Sequence, residues 1–139
     1  MKSDLATKLG IKPGHLVGLV DPPPGAARVL GAQFPPGMEW VDLVSERRCD
    51  VLLYWPRDPD RLSERFRELQ YRIVPDGAIW AVMPKKKYAR SHGIAFTWEQ
   101  MQAAGLQTDL VDNKVASISE EEYGTRFVIR KDARDKYAL

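Results

Sequence analysis

Two apolar runs, Asp50-Val-Leu-Leu-Tyr-Trp55 and Ala78-Ile-Trp-Ala-Val-Met83, flank one amphipathic stretch, and together they constrain the fold more than any other part of the chain. Neither run alternates polar with apolar residues, which is how strands covered on both faces read. The first is stopped by Pro56 and the second by Pro84, neither of which has an amide proton for a ladder. Between them, Asp58 is placed to cap a helix that starts at Pro59, where the missing N–H would be unpaired anyway. Leu62, Phe66, Leu69 and Ile73 recur on one stripe at helical spacing, with Arg61, Ser63, Glu64, Arg67, Glu68 and Arg72 opposite. Val74-Pro-Asp-Gly77 has turn chemistry and is expected to return the chain to the sheet. Strands joined by such a crossover are parallel, and a helix on one face leaves the other face for further helices. The expected fold is therefore α/β: three layers, Rossmann-like, with a mostly parallel sheet.

The segments before this unit extend the pattern. Residues 1–10 read as a lead-in with one helical turn around Leu5 and Leu9, and Ile11-Lys-Pro-Gly14 as a turn into a first strand over 15–20. Asp21 falls at the carboxyl end of that strand, followed by Pro22-Pro-Pro-Gly25 and a short helix from Ala26 to about Ala32. Nucleotide-binding α/β domains place a ligand loop here, built on glycines and backbone amides. Three consecutive prolines offer no amides, which leaves Gly25 and the first helical N–H groups near Ala26 and Ala27. Asp21 can accept a hydrogen bond from a ribose or an amine, or cap the helix that follows. Residues 38–44 read as a short second strand. An acid at the end of such a strand often holds a ribose, and Glu39, Asp42 and Glu46 are all nearby, but spacing singles out none of them over a solvated surface acid.

Beyond Pro84 comes the basic cluster Lys85-Lys-Lys87, with Tyr88, Arg90 and His92 behind it. Its place at the end of a central strand suits an anion site, and a solvated lysine loop suits the same residues. No aromatic platform or second basic stripe accompanies it, so nucleic acid is not expected. Thr97-Trp-Glu-Gln100 matches a capping box and opens a helix through Ala104, with Gly105 as a left-handed stop. Residues 111–118 and 125–130 read as strands of a C-terminal antiparallel hairpin, joined through 119–124. Residues 131–139 form a charged tail expected to fray.

At 139 residues and 44% apolar content, the chain has enough apolar surface for a single core, and one domain is expected. Lys and Arg number 21 against 19 Asp and Glu, so the net charge of +2 carries no global sign of a polyanionic partner. Cys49 is the sole cysteine and there are two histidines, which excludes an intrachain disulfide and a structural zinc set. As a residue opening a strand, Cys49 reads as a buried thiol. The first residues lack the apolar core of a signal peptide and no run nears the ~20 apolar residues of a membrane span, so a cytoplasmic setting away from membranes is expected.

The order strand, proline-glycine loop, helix, strand, helix, Pro75-Asp-Gly-Ala-Ile-Trp80 strand, helix and terminal hairpin resembles a shortened class I, S-adenosylmethionine-dependent methyltransferase. In that family a proline-glycine-glycine turn commonly precedes the fifth strand, and Val74-Pro-Asp-Gly77 is similar. Leu9-Gly-Ile-Lys-Pro-Gly14, the Asp21 to Gly25 loop, Met83-Pro-Lys85, Leu110-Val-Asp-Asn-Lys-Val115 and Phe127-Val-Ile-Arg130 resemble, more closely, a family of small bacterial proteins of unknown function. The methyltransferase resemblance implies a ligand site at the carboxyl ends of the strands. It also places Tyr54 and Trp55 where amino-methylating members stack a substrate ring, a position that equally suits core packing.

The candidate ligand-binding residues are thus Asp21, Gly25, Tyr54, Trp55, Lys85 and Lys86, with no catalytic set and no metal site. No cofactor is expected, S-adenosylmethionine being disfavoured by the prolines. The expected role is a non-catalytic methyltransferase-like domain binding a protein or a small anionic ligand. The alternatives are a divergent methyltransferase and an anion binder that uses the 85–87 loop.

Overall fold

The computed structural model describes residues 5–34, 39–41 and 47–138. Its strands are β1 (Leu16–Val20), β2 (Glu39–Val41), β3 (Cys49–Tyr54), β4 (Ile73–Pro84), β5 (Leu110–Ser117) and β6 (Glu122–Ile129). They form one six-stranded sheet in the order β2-β1-β3-β4-β6-β5. β1 pairs in parallel with β2 and β3, and β3 with β4, while β6 runs antiparallel to both β4 and β5. The two apolar runs are therefore adjacent, parallel and central, as their composition demands.

The described residues form the α-helices α1 (Leu5–Leu9), α2 (Ala26–Gly31), α3 (Leu62–Leu69) and α4 (Trp98–Leu106). Leu62, Phe66 and Leu69 of α3 pack with Met101 and Ala104 of α4 over one sheet face, against Leu52, Tyr54, Ile79 and Phe127. Leu5, Leu9 and Leu30 of α1 and α2 cover the other face, against Val17, Val51, Leu53 and Trp80. Successive residues of β3 thus enter opposite cores, which is why that run is apolar throughout instead of alternating. Trp80 carries its indole into the second core at little cost in hydrogen bonding, because Nε1 donates to the Leu9 carbonyl at 3.0 Å.

Local signals placed the helix starts correctly. Asp58 Oδ1 accepts from the Asp60 amide at 2.9 Å, with Pro59 opening a 3-10 turn (Pro59–Arg61) ahead of α3. Thr97 and Gln100 form the reciprocal capping box of α4, at 3.1 and 2.8 Å. Elsewhere tertiary packing overrode the local reading. Ile73 belongs to β4 and not to the helix stripe, and Val74 to Gly77 form an irregularity within β4, between the Cys49–Ile73 and Val51–Ala78 pairs. α4 runs on through Gly105 to Leu106, so that glycine is no left-handed stop. β6 begins at Glu122, inside the segment expected as the hairpin connection.

Neither end of the described chain behaves as loose polar sequence. Leu5, Ala6 and Leu9 are buried. Lys131–Tyr137 is a 3-10 helix that buries Ala133 and Tyr137, where a frayed tail was expected. Its anchor is Asp109, which accepts hydrogen bonds from the Tyr137 hydroxyl at 2.6 Å, Arg130 at 3.0 Å and Lys136 at 3.3 Å. The Tyr137 carbonyl in turn accepts from Arg48. The short expected second strand is present over Glu39–Val41, while Asp42 and Glu46 lie outside the described residues.

Candidate functional site

The ends of β1, β3 and β4 lie at one edge of the sheet, because parallel strands present their carboxyl ends together. All six candidate residues are at this end of the sheet, and the fold divides them into three groups.

Asp21 and Tyr54 form the first group, joined by a residue the sequence did not single out. Asp21 leaves β1 with φ of 53°, in the left-handed region that aspartate tolerates better than most side chains. Its carboxylate does not cap α2, whose N-cap is Gly25. Instead Asp21 Oδ2 accepts from Arg65 Nη2 of α3 at 3.1 Å. Arg65 also hydrogen-bonds the Tyr54 hydroxyl. Tyr54 is 2% exposed and meets Phe66 edge-on, with ring centroids 5.4 Å apart. Burial pushes its phenol up to about 12, against the pull of the Arg65 guanidinium, so it stands as a neutral hydroxyl. The one sequence signal for Arg65 was its place beside Phe66 at the border of the apolar stripe of α3.

Gly25 and Trp55 form the second group, lining a cleft of about 220 Å³ with Pro23, Pro24 and Ile118. Gly25 takes φ of 81°, which suits a residue without Cβ. The Ala26 amide donates to the Pro23 carbonyl at 3.1 Å, so it is not left for a ligand as the sequence suggested. Trp55 is 5% exposed, its amide bound to the Val20 carbonyl at 3.0 Å and its Nε1 to Glu122 at 3.2 Å. It is a core residue with one polar edge tied down, and not an open stacking face.

Lys85 and Lys86 form the third group, at the mouth of a larger cleft of about 580 Å³ between the end of β4 and the start of α4. Met83, Phe96, Trp98 and Tyr123 supply its apolar walls. Lys85 Nζ donates to Ser117 Oγ at 2.9 Å, and its amide to the Glu121 carbonyl at 2.7 Å. Lys86 is exposed and makes no ion pair among the described residues. His92 lies 2.9 Å from Glu121, fastening the loop after β4 to the β5–β6 turn. The aromatic walls were legible only as scattered residues, because Tyr123 lies on β6, distant in sequence from Phe96 and Trp98, and packing brings the three to one cleft.

Among the described residues no cluster of metal-ligating side chains is present, and no helix is long and apolar enough to cross a membrane. Cys49 is buried, and burial pushes its thiol up to about 11, so it is no poised nucleophile.

No protein-family model matches the chain, and no curated protein matches it in sequence. Its fold is similar to several solved structures at low identity. The PH0226 protein from Pyrococcus horikoshii OT3 has a TM-score of 0.60 at 11% identity, over 91% of this chain and 86% of that one. A putative type 11 methyltransferase from Sulfolobus solfataricus has 0.58 at 12%, over 91% and 90%. The cyclopropane synthase MmaA2 from Mycobacterium tuberculosis has 0.52 at 13%, over 82% of this chain, which spans 61% of that enzyme. Together with the strand order and the two helical layers, these likenesses identify the architecture as the Rossmann-like α/β fold of class I methyltransferases.

Proposed function

We propose that this chain is a methyltransferase-like domain that binds a protein or a small ligand without transferring a methyl group. The observation that carries the reading is the Asp21–Arg65 pair, 3.1 Å across the end of β1. In an α/β site of this kind an acid and backbone amides at that place would face the ligand. Here the acid faces Arg65, the prolines supply no amides, and the Ala26 amide is already bound. Tyr54 and Trp55 are packed into opposite cores. These residues do not fit S-adenosylmethionine, whose polar groups would find few of the partners they need.

Titration calorimetry with S-adenosylmethionine tests this. The expected result is no measurable binding by the native protein or by Arg65→Ala. A dissociation constant near 1 μM corresponds to about −8 kcal/mol. Binding of that strength, lost in Asp21→Ala, would overturn the reading and make the chain a divergent methyltransferase.

A further inference from the structure

The cleft beside β4 has features that neither strand-end loop shares. Its floor and walls are apolar and aromatic, with Met83 and Phe96 only 4% and 7% exposed. Its walls are also fixed before any ligand arrives. Trp98 Nε1 donates to Thr125 Oγ1 at 2.8 Å, and Thr125 is itself fully buried in β6. A ring packed against Trp98 would therefore cost little reordering of the site. The volume of about 580 Å³ falls within the ~300–1,000 Å³ of ordinary small-molecule sites.

The rim carries charges of both signs. Lys86 stands on the loop after β4, and Glu99 on the first turn of α4, both exposed and both lining the cleft. Neither makes an ion pair among the described residues, with each other or with a third group. Lys85 is different, since its ammonium is held by Ser117. A ligand complementary to this lining has a flat apolar body and carries charges of both signs.

We propose that the cleft between β4 and α4 binds a free aromatic amino acid, with the ring against Phe96 and Trp98, the carboxylate toward Lys86 and the ammonium toward Glu99. This gives a ligand class to the binding domain proposed above and rests on that reading. The Tyr123 hydroxyl, also on the cleft wall, adds a neutral donor beside Glu99.

Calorimetry with three probes that share one ring resolves the charges: L-phenylalanine, 3-phenylpropionate, which lacks the amine, and phenethylamine, which lacks the carboxylate. The native protein should bind L-phenylalanine at least tenfold more tightly than either analogue. Lys86→Ala should weaken L-phenylalanine and 3-phenylpropionate by about tenfold and leave phenethylamine unchanged, and Glu99→Gln should weaken L-phenylalanine and phenethylamine by about tenfold and leave 3-phenylpropionate unchanged, as expected for loss of one charged hydrogen-bond partner. Both changes are on exposed side chains, and unchanged circular dichroism verifies the fold. Equal affinity for all three probes, no binding of any, or indifference to both variants would overturn the proposal. S-adenosylmethionine titrated into the same samples keeps the two readings apart. Tight, Asp21-dependent binding of it would sink the non-catalytic reading and leave the phenylalanine result standing by itself.

Discussion

A Cβ built on Gly105 would stand 2.5 Å from Cε1 of Phe127, closer than side-chain carbons ever approach. Gly105 lies in α4 and Phe127 in β6, so this contact sets how near the helix can sit to the sheet. Phe127 is fully buried and its ring lies 4.9 Å from that of Phe66, so it has nowhere to retreat. Gly105→Ala would gain about 0.5–1 kcal/mol of helix propensity. Overpacking costs about 1–3 kcal/mol. A net loss is expected, read as a lower urea midpoint, and a gain in stability would mean that α4 is free to move outward.

Phe66 and Arg67 are neighbours with opposite fates. Phe66 is fully buried between Tyr54 and Phe127, while Arg67 is exposed. Phe66→Ala should cost about 3–5 kcal/mol through lost contacts and the cavity left behind. Arg67→Ala should change stability by no more than about 0.5 kcal/mol. Comparable losses in urea melts of the two variants would contradict the phase of α3.

Asp109 should make stability depend on acid. The hydrogen bond from Tyr137 holds its carboxyl below its ordinary value of 3.8, with help from Lys136 and Arg130 and against partial burial. A group whose folded pKa is depressed contributes stability that is fully present above its unfolded pKa and is lost as pH falls through the folded one. Asp109→Asn should therefore be less stable than the native protein above about pH 4.5, with the gap closing on acidification below about pH 4. Urea midpoints between pH 6 and pH 2.5 measure this, and a gap independent of pH would show that charge at Asp109 is not what secures the C-terminal segment.

Cys49 should report on opening of the sheet. Burial raises its thiol from 9.0 to about 11, partly offset by Arg72. At pH 8 the native protein should therefore react with a disulfide reagent far more slowly than the urea-unfolded chain, at a rate set by opening of the structure. Equally fast reaction of both would mean that the start of β3 is accessible in the native state.

The parts of this fold legible in sequence are those decided within a few residues. Asp58 before Pro59, and Thr97 three residues before Gln100, start helices by hydrogen bonds their own side chains make. The central strands were equally plain, because residues buried on both faces must be apolar on both. What escaped depended on partners distant in sequence. Ile73 continues the helical stripe by spacing, yet joins β4 because Cys49 pairs with it. Tyr137 sits in a run of charges, and its burial rests on partners distant in sequence, Asp109 and Tyr71 among them. The site divides in the same way. Asp21, Tyr54 and Lys86 could be placed at strand ends, whereas Arg65 and the Phe96, Trp98 and Tyr123 walls are brought to them by packing.

The place of β6 has a consequence for how the chain is made. It follows β5 in sequence yet lies inside the sheet, bonded to β4 on one side and β5 on the other. On a growing chain, β4 from Ile79 to Pro84 therefore has no neighbour on that side until residues 122–129 are synthesised. β5 emerges earlier and must stay one strand's width away, leaving a slot to be filled from the inside. The open edge of an apolar strand invites pairing with other chains during that interval. The four-residue bridge from β5 to β6, Ile118-Ser-Glu-Glu121, shortens the interval by delivering β6 to the slot as soon as it exists.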